Sequence, residues 1–331
     1  MSSGQIRLNT ATGEWVIYAP ARRKRPQELC QPPQPFPCIT NACPFCDDPT
    51  RIEPIIFELP NADKTGWQTR VIPNKFPVLM PCGNSDRISE GFYISMQGYG
   101  KHEVIIEHPS HDQTPATMSI EEVKALIETY HQRYLDLMAD PKIMLAIIFR
   151  NHKKEAGASQ PHPHSQIIAT SFVPRHRRWH EEEAQRYFDR WHRCVYCDML
   201  RDELKEEKRI IEENDSFVAF VPYAAQVPCE VWIMPKQHKA DFGSITEAEK
   251  GDFASILQRV LARLYKKLDN PAYNYVINSA SRYKAEEPQL HWYCQILPRL
   301  TTPAGFELGA GISINPSIPE VDADFLRDCT L

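Results

Sequence analysis

The 331-residue chain lacks the features of a membrane or secreted protein. It has no run of about 18 apolar residues, the length that a spanning helix needs. Its opening, MSSGQIRLN, lacks a basic stretch followed by an apolar core, so we expect no secretory signal and a cytoplasmic protein. It also lacks an excess of one charge, since 38 basic and 43 acidic residues give a net charge of −5. This balance argues against a nucleic-acid-binding protein.

The composition is that of a globular protein, with 42% hydrophobic and 24% charged residues. The chain contains ten cysteines, and four of them form two Cys-x-x-Cys pairs, Cys43–Cys46 and Cys194–Cys197. In a chain without a secretory signal, such pairs are more often metal ligands or redox groups than disulfides. Zinc is the leading interpretation.

Two copies of one unit follow the two cysteine pairs. Glu103–His111 follows the first pair and Glu230–His238 follows the second. Both segments begin Glu-Val, which pairs Glu103 with Glu230, and both end on a histidine after an apolar stretch typical of a buried strand. A repeating unit of about 130 residues is too long for a solenoid, so it indicates two duplicated domain halves.

Each copy continues with an amphipathic helix, a strand and a second histidine motif. The first helix begins with a serine that is followed three residues later by a glutamate, which predicts a capping box. The matched features are the helix starts at Ser119 and near Ser244 or Thr246, the strand ends at Asn151 and Asn278, and the motifs His162–Gln166 and His291–Gln295.

The repeated cysteines and histidines predict two zinc ions per chain. Structural zinc prefers four such ligands in a tetrahedron. A single Cys-x-x-Cys could instead be a redox pair or buried thiols, and a lone histidine is more often a hydrogen-bonded core residue. Repetition in matching order favours metal. The predicted ligands are Cys43, Cys46, His111 and His162 in the first copy, and Cys194, Cys197, His238 and His291 in the second.

The two copies differ at one position that could carry chemistry. His164 lies two residues beyond the predicted ligand His162, so the two share a face of an extended strand. The metal does not need His164, and its counterpart in the second copy is Tyr293. An additional imidazole beside Ser165 and Gln166 suggests a nucleophile with polar groups that hold a phosphoryl centre. We therefore expect catalysis in the first half alone.

The segment Asn151–Gln166 resembles the active-site motif of the galactose-1-phosphate uridylyltransferase family, in the histidine-triad superfamily. Ala19–Pro26 resembles that family's phosphate-contacting arginines, Asn74–Pro77 its nucleoside-contacting loop, and Gly305–Glu307 its hexose-contacting tail. The resemblance covers almost the whole chain. It implies an α+β fold of duplicated histidine-triad-like halves, each an antiparallel sheet with packed helices.

The resemblance also implies a ping-pong mechanism and roles for individual residues. His164 would attack the α-phosphorus of a nucleotide sugar, expel a hexose 1-phosphate and form a nucleotidyl-histidine that a second phosphate acceptor resolves. Members of the family are homodimers whose tail reaches the other subunit's site. The implied residues are His164, Gln166 and Ser159 for catalysis, and Arg22, Arg25, Asn74, Asn151, Gly157 and Glu307 for substrate binding. A solvated basic turn is the alternative for the two arginines.

The sequence departs from the uridylyltransferase pattern at several positions, and these differences bear on which substrate the protein uses. Ser165 stands where uridylyltransferases carry glycine, and Lys75 stands where many carry aspartate. The second cysteine pair and the tail resemble the ADP-glucose phosphorylase branch. The expected activity is UDP-glucose:hexose-1-phosphate uridylyl transfer in galactose metabolism. The alternatives are ADP-glucose:phosphate adenylyl transfer, diadenosine polyphosphate phosphorolysis, a zinc-binding interaction module without catalysis, and thiol redox chemistry.

We divide the chain into four parts on these patterns. The catalytic half covers residues 1–175, and a charged stretch at 176–193 is expected to form a linking helix. The degenerate half covers 194–300 and the tail 301–331.

Overall fold

The computed structural model describes residues 4–20, 43–46, 54–61, 63–83 and 85–331. Arg22 and Arg25 lie outside these described residues, so their predicted phosphate contacts stay predictions. The strands are β1 (Gln5–Asn9), β2 (Glu14–Tyr18), β3 (Phe57–Pro60), β4 (Trp67–Pro73), β5 (Arg87–Glu90), β6 (Tyr93–Met96), β7 (Gly100–Ile106), β8 (Leu145–His152), β9 (His164–Thr170), β10 (Ile210–Glu213), β11 (Phe217–Phe220), β12 (Val231–Pro235), β13 (Tyr273–Asn278), β14 (Tyr293–Pro298) and β15 (Ser313–Asn315). The α-helices are α1 (Ile120–Met138), α2 (Arg175–Trp191), α3 (Val195–Glu206), α4 (Glu247–Lys267), α5 (Gly305–Ala310) and α6 (Pro319–Arg327).

The strand order of the central sheet displays the duplication. Ten strands form one sheet in the order β10-β11-β12-β14-β13-β8-β9-β7-β4-β3. From the middle outwards, one half runs β8, β9, β7, β4, β3 and the other runs β13, β14, β12, β11, β10. The strands β8 and β13 pair antiparallel at the junction, with Tyr275 opposite Arg150. The predicted α+β fold of duplicated antiparallel halves is confirmed, and the two half-sheets join into one.

The long helices α1 and α4 cover one face of this sheet. Each begins with a capping box, at Ser119 with Glu122 and at Thr246 with Glu249, which satisfies backbone N–H groups that a helix start leaves unpaired. The second helix therefore starts at Thr246, and Ser244 lies in a preceding 3₁₀ turn. Their apolar stripes enter the main core, where each fully buried large apolar side chain stabilises by about 1.5–3 kcal/mol. The buried stripe residues include Val123, Leu126, Ile127 and Tyr130 of α1, and Phe253, Ile256, Leu257, Val260 and Leu264 of α4.

The opposite face is covered differently in the two halves. In the second half, α2 and the β1–β2 hairpin form a second core with the sheet, to which Ala11, Ala184 and Trp232 contribute. The strand β15 pairs parallel with β2, which ties the C-terminal tail to this hairpin. Over the same face of the first half lies a cavity, described below. Among the described residues, no helix has both the length and the apolar character needed to cross a membrane.

Candidate active site and candidate metal centres

Four side chains of the first half converge in the arrangement predicted from the sequence. Cys43, Cys46, His111 and His162 offer ligand atoms that all lie within 4.8 Å of one another. Cys46 Sγ is 3.2 Å from His111 Nδ1 and 3.3 Å from His162 Nδ1. Cys43 Sγ is 3.7 Å from the same His162 nitrogen. The Cys-x-x-Cys turn thus faces two imidazole Nδ1 atoms.

The second half repeats this arrangement. Cys194, Cys197, His238 and His291 form an equivalent group within the same 4.8 Å limit. Cys197 Sγ is 3.2 Å from His238 Nδ1 and 3.6 Å from His291 Nδ1. The two histidine rings stand nearly perpendicular, at 84°, as do the rings of the first group, at 86°. Duplication has therefore preserved both the ligand types and their orientation.

The donor sets fit tetrahedral zinc. With Zn–S near 2.3 Å and Zn–N near 2.05 Å, sulfur and nitrogen ligands should lie about 3.6 Å apart. In each group one histidine directs Nε2 at a backbone carbonyl: His162 at His108 O, 2.8 Å away, and His291 at Pro235 O, 3.0 Å away. A carbonyl only accepts hydrogen bonds, so Nε2 carries the proton and Nδ1 keeps its lone pair for the metal. Both groups can therefore hold a metal ion.

His164 opens strand β9 with one ring nitrogen committed to the backbone. Its Nδ1 lies 2.8 Å from His162 O. Because the carbonyl can only accept, Nδ1 must carry the proton, and the lone pair of the neutral ring is on Nε2. Burial lowers the pKa of His164, which favours the neutral ring near pH 7. The backbone thus holds the imidazole in the tautomer that a nucleophile requires.

Gln166 lies on the same face of β9, and its side-chain oxygen is held in place. Its Oε1 accepts from His102 Nε2 at 2.7 Å and from Asn74 Nδ2 at 3.3 Å. Val78 N donates to His102 Nδ1 at 3.4 Å, so the proton of this histidine is on Nε2. The amide nitrogen of Gln166 is then the group that can donate to a phosphate oxygen. His102 is a candidate site residue that the sequence analysis did not identify, because its only signal is its place in the strand that pairs with β9.

A cavity of about 160 Å³ brings several predicted residues together. His164, Gln166, Ser159 and Asn74 all line it, with Lys75 beside Asn74. Sites that enclose a drug-sized ligand usually have about 300–1,000 Å³. The described residues therefore surround part of a ligand, of the size of a phosphoryl group and its neighbours.

Phe45 connects this cavity to the first candidate metal centre. It lies between Cys43 and Cys46, and its ring centroid is 5.8 Å from those of both His162 and His164. It also lines the cavity. A metal that fixes the Cys-x-x-Cys turn would therefore also fix one wall of the cavity.

Ser165 does not take part in the cavity, contrary to the expectation from the sequence. Its hydroxyl accepts a hydrogen bond from Tyr130 Oη at 2.7 Å, on the side of the sheet covered by α1. Successive strand residues point to opposite faces, so the neighbours of Ser165 enter the cavity and Ser165 enters the core. The side chain of Ser165 therefore contributes to packing under the sheet.

Asn151, near the end of β8, and Gly157, in the loop that follows, lie close together, but neither lines the cavity. A Cβ added to Gly157 would be 3.7 Å from Asn151 Nδ2, and the φ of +91° at this glycine is strained for other residues. Asn274 of the second half donates to Asn151 Oδ1 at 2.7 Å and to Ala156 O at 2.8 Å. The second half thus supports the loop that leads into β9.

Glu307 is not brought to this cavity within the described part of the chain. Its carboxylate accepts from Ala304 N at 2.8 Å and from Ile314 N at 3.2 Å, so it caps α5 and fixes the turn into β15. Its predicted contact with a hexose stays a prediction.

The corresponding face of the second half is filled with aromatic rings. Tyr293, the counterpart of His164, stacks on Trp232 with centroids 4.2 Å apart. Tyr196, the counterpart of Phe45, lies 5.7 Å from Tyr293. All three side chains are buried. These contacts fill the space that corresponds to the cavity of the first half.

The strand register corrects one detail of the sequence match. Gln166 pairs with Val104, whereas Gln295 pairs with Trp232, so the structural counterpart of Glu230 is His102. The contacts agree, since Glu230 Oε1 accepts from Gln295 Nε2 at 2.8 Å. The pairing of Glu103 with Glu230 was therefore wrong by one residue.

Comparisons with known proteins agree with this geometry. The chain matches the model of the galactose-1-phosphate uridyl transferase N-terminal domain over residues 2–174 and that of the C-terminal domain over residues 180–302. It is 33% identical to an ADP-glucose phosphorylase of Arabidopsis thaliana, covering 99% of this chain and 94% of that protein. It is 29% identical to a galactose-1-phosphate uridylyltransferase of Thermotoga maritima, covering 98% of each.

A solved structure gives the same result in three dimensions. The crystal structure of an ADP-glucose phosphorylase from Arabidopsis thaliana with bound ADP-glucose superposes with a TM-score of 0.84, at 30% identity and over 100% of both chains. The chain therefore belongs to the galactose-1-phosphate uridyl transferase family and is a nucleotidyltransferase.

Proposed function

We propose that this protein transfers a nucleoside monophosphate from a nucleotide sugar to a second phosphate compound through a covalent intermediate on His164. The observation that carries the proposal is the 2.8 Å contact between His164 Nδ1 and His162 O, which assigns the lone pair to Nε2. A neutral imidazole with one nitrogen fixed and the other in a cavity is equipped for nucleophilic attack.

The first half-reaction forms one bond and breaks another at the α-phosphorus. The lone pair of His164 Nε2 forms the N–P bond, and the electron pair of the pyrophosphate P–O bond leaves with the sugar phosphate. In the second half-reaction, a phosphate oxygen of the acceptor forms a P–O bond and the N–P electron pair returns to Nε2. The leaving group is a weakly basic phosphate, so neither step needs a strong general acid.

Positioning and charge stabilisation then account for the acceleration. Gln166 would donate its amide protons to an equatorial oxygen of the transferred phosphoryl group, and the Ser159 hydroxyl would donate to another. Asn74 would contact the nucleoside, with Asn151 and Gly157 shaping the loop at the phosphates. Arg22 and Arg25 would offset the remaining negative charge.

Zinc is the metal that we propose for both cysteine–histidine groups, at about two ions per chain. When bound, zinc would supply folding free energy, and would fix the turn that carries Phe45. Elemental analysis of protein purified without chelators should find zinc at this level. Protein that is folded, active and free of zinc would refute this proposal.

UDP-glucose with a hexose 1-phosphate is our first candidate substrate pair, because models of both domains of the uridyl transferase family match the chain. ADP-glucose with inorganic phosphate is the second. It is favoured by the 33% identity to an ADP-glucose phosphorylase and by the second cysteine–histidine group, which resembles that branch.

Intact-mass measurement after separate incubation with UDP-glucose and ADP-glucose tests both candidates. A UMP adduct supports uridylyl transfer, and an AMP adduct supports adenylyl transfer. The His164→Ala variant should give neither adduct, while it retains its fold and its zinc. If neither nucleotide sugar modifies the wild type, the proposed substrate class is wrong, and diadenosine polyphosphates become the next substrates to assay.

In a homodimer, Glu307 could contact the sugar bound at the partner subunit's site. Its helix α5 exposes Phe306 and Leu308, at 53% and 77% of their surface, and these apolar side chains could contact a second copy. We propose that the tail contacts the partner subunit's sugar site. Sedimentation should then give a dimer, and Phe306→Asp should weaken it. We also place the protein in the cytoplasm, where the ligand thiols would stay reduced.

A further inference from the structure

Two histidines of helix α2 face the carboxylate of a glutamate on strand β2. None of these three residues is one of the proposed zinc ligands. His176 and His180 are one helical turn apart, so their side chains share a face, and their ring centroids are 4.2 Å apart. Glu14 Oε1 is 3.3 Å from His176 Nε2 and 3.8 Å from His180 Nε2. The three ligand atoms all lie within 4.8 Å of one another.

These separations match those of metal ligands better than those of a hydrogen-bonded cluster. Nitrogen and oxygen ligands about 2.05 Å from a tetrahedral ion are about 3.4 Å apart. The contact of 3.8 Å between Glu14 and His180 is too long for a hydrogen bond. The two contacts of Glu14, at 3.3 Å and 3.8 Å, lie on either side of this value.

His180 supplies the deciding observation. Its side chain is only 6% exposed. Neither ring nitrogen has a hydrogen-bond partner among the described residues. An unpaired buried polar group costs about 1–3 kcal/mol, so a structure rarely leaves both nitrogens of a histidine unpaired. An ion pair between Glu14 and His176 would satisfy those two groups, and His180 would keep only its charge contact of 3.8 Å with Glu14, without a hydrogen bond.

The second carboxylate oxygen of Glu14 is already occupied, which orients the first. Glu14 Oε2 accepts from Thr12 Oγ1 at 2.9 Å and from Gln226 Nε2 at 2.6 Å. These bonds turn Oε1 towards the two histidines. They are the outer contacts that commonly position a metal-binding carboxylate.

We propose that Glu14, His176 and His180 bind a divalent first-row transition-metal ion, at a third site distinct from the two cysteine–histidine groups. Two imidazoles and one carboxylate suit zinc, cobalt, nickel or iron rather than calcium or magnesium. His176 is 68% exposed on the side chain, so solvent reaches the site and water completes the coordination.

The position of the site indicates a structural role. Glu14 belongs to the β1–β2 hairpin, and the two histidines belong to the helix that connects the halves. Between the same elements, Trp179 Nε1 donates a hydrogen bond to Thr12 O at 3.1 Å. A metal would therefore clamp the hairpin, with which the C-terminal strand β15 pairs, onto the helix α2.

Cobalt binding to the zinc-loaded protein tests this inference. The protein is first loaded with two zinc ions per chain, which the four-ligand cysteine–histidine groups bind ahead of the three-ligand site, and Co²⁺ is then titrated while visible and near-ultraviolet absorption are recorded. The account predicts about one additional Co²⁺ per chain with ligand-field bands but no thiolate-to-cobalt charge transfer. His176→Ala should weaken this binding by tenfold or more, since even the loss of an outer contact costs about 10–100-fold.

The exposed Glu182→Ala, on the same helix, is the matched control and should bind like wild type. His176 is a surface residue, so its replacement should leave the fold intact, which circular dichroism can verify. No additional Co²⁺, equal binding by His176→Ala, or only the charge-transfer band of cobalt in the cysteine sites would overturn the proposal.

Discussion

The orientation of Gln166 yields the most specific prediction about catalysis. His102 Nε2 donates to Gln166 Oε1 at 2.7 Å and thereby directs the amide nitrogen to the role that we propose for it, donation to the phosphoryl group. Gln166→Ala removes this donor and should slow formation of the nucleotidyl-enzyme by about 10²–10³, the effect of losing one oxyanion donor. His102→Leu keeps this donor but removes the hydrogen bond that orients it.

The expected size of the His102 effect follows from one hydrogen bond. A net contribution of about 1 kcal/mol corresponds to about a fivefold slower covalent step. Since His102 acts through Gln166, the two effects should not add. In the Gln166→Ala background, His102→Leu should change the rate by less than about twofold.

Rapid-quench single-turnover measurements at saturating nucleotide sugar, with the adduct followed by intact mass, supply the four rates. His131→Leu serves as a control, because this histidine also makes one ring-nitrogen contact, to Gly243 O at 3.0 Å, but lies on α1. A fivefold effect of His102→Leu in both backgrounds would show that His102 acts independently and would refute the reasoning.

Three further predictions concern stability and metal. Arg150→Met should lower the free energy of unfolding by about 3–5 kcal/mol in urea titrations, because it leaves the buried Glu107 carboxylate, now 2.9 Å from Arg150 Nε, without its partner; a loss below 1 kcal/mol would contradict this. Cys43→Ser should remove about one zinc per chain and lower the melting temperature, whereas unchanged zinc would exclude Cys43 as a ligand. Burial raises the pKa of Glu230 to about 7, despite hydrogen bonds from Gln295 and Trp232. Folded protein then binds more protons than unfolded protein between about pH 4.5 and 7, so stability falls as pH rises through this window; Glu230→Gln should flatten the fall, and parallel curves would refute it.

Local sequence signals located the elements that position the site. The Ser119–Glu122 capping box and the apolar stripe after it predicted α1, and the structure has both. The repeated order of cysteines and histidines predicted two four-residue groups, which meet as expected. Such features depend on a few neighbouring residues and on a repeat, and both can be read from a single sequence.

Features that depend on the register between strands were harder to predict. Glu103 and Glu230 occupy the same place in the sequence pattern. The strand pairing within each half nevertheless makes His102 the structural counterpart of Glu230. A shift of one residue moves a side chain to the other face of a sheet, and nothing in the pattern fixes that shift. Successive strand residues point to opposite faces of the sheet, so the side chain of Ser165 points into the core and not into the cavity.

Contacts between distant segments were beyond the sequence altogether. Asn274 supports the loop at Gly157 from the other half of the molecule. His180 and Glu14 lie close together because α2 packs against the hairpin, and no local sequence pattern predicts this contact. Long-range packing of this kind sets the identity of side-chain partners, which periodicity and capping signals leave open.

Locating the covalent intermediate tests the central claim most directly. Wild-type protein quenched after reaction with the nucleotide sugar that modifies it can be digested under conditions that preserve phosphoramidates, and the modified peptide sequenced by tandem mass spectrometry. The account predicts a nucleoside monophosphate on His164, with His162 unmodified. Stable attachment to any other residue, or turnover by His164→Ala at a rate near that of wild type, would contradict it.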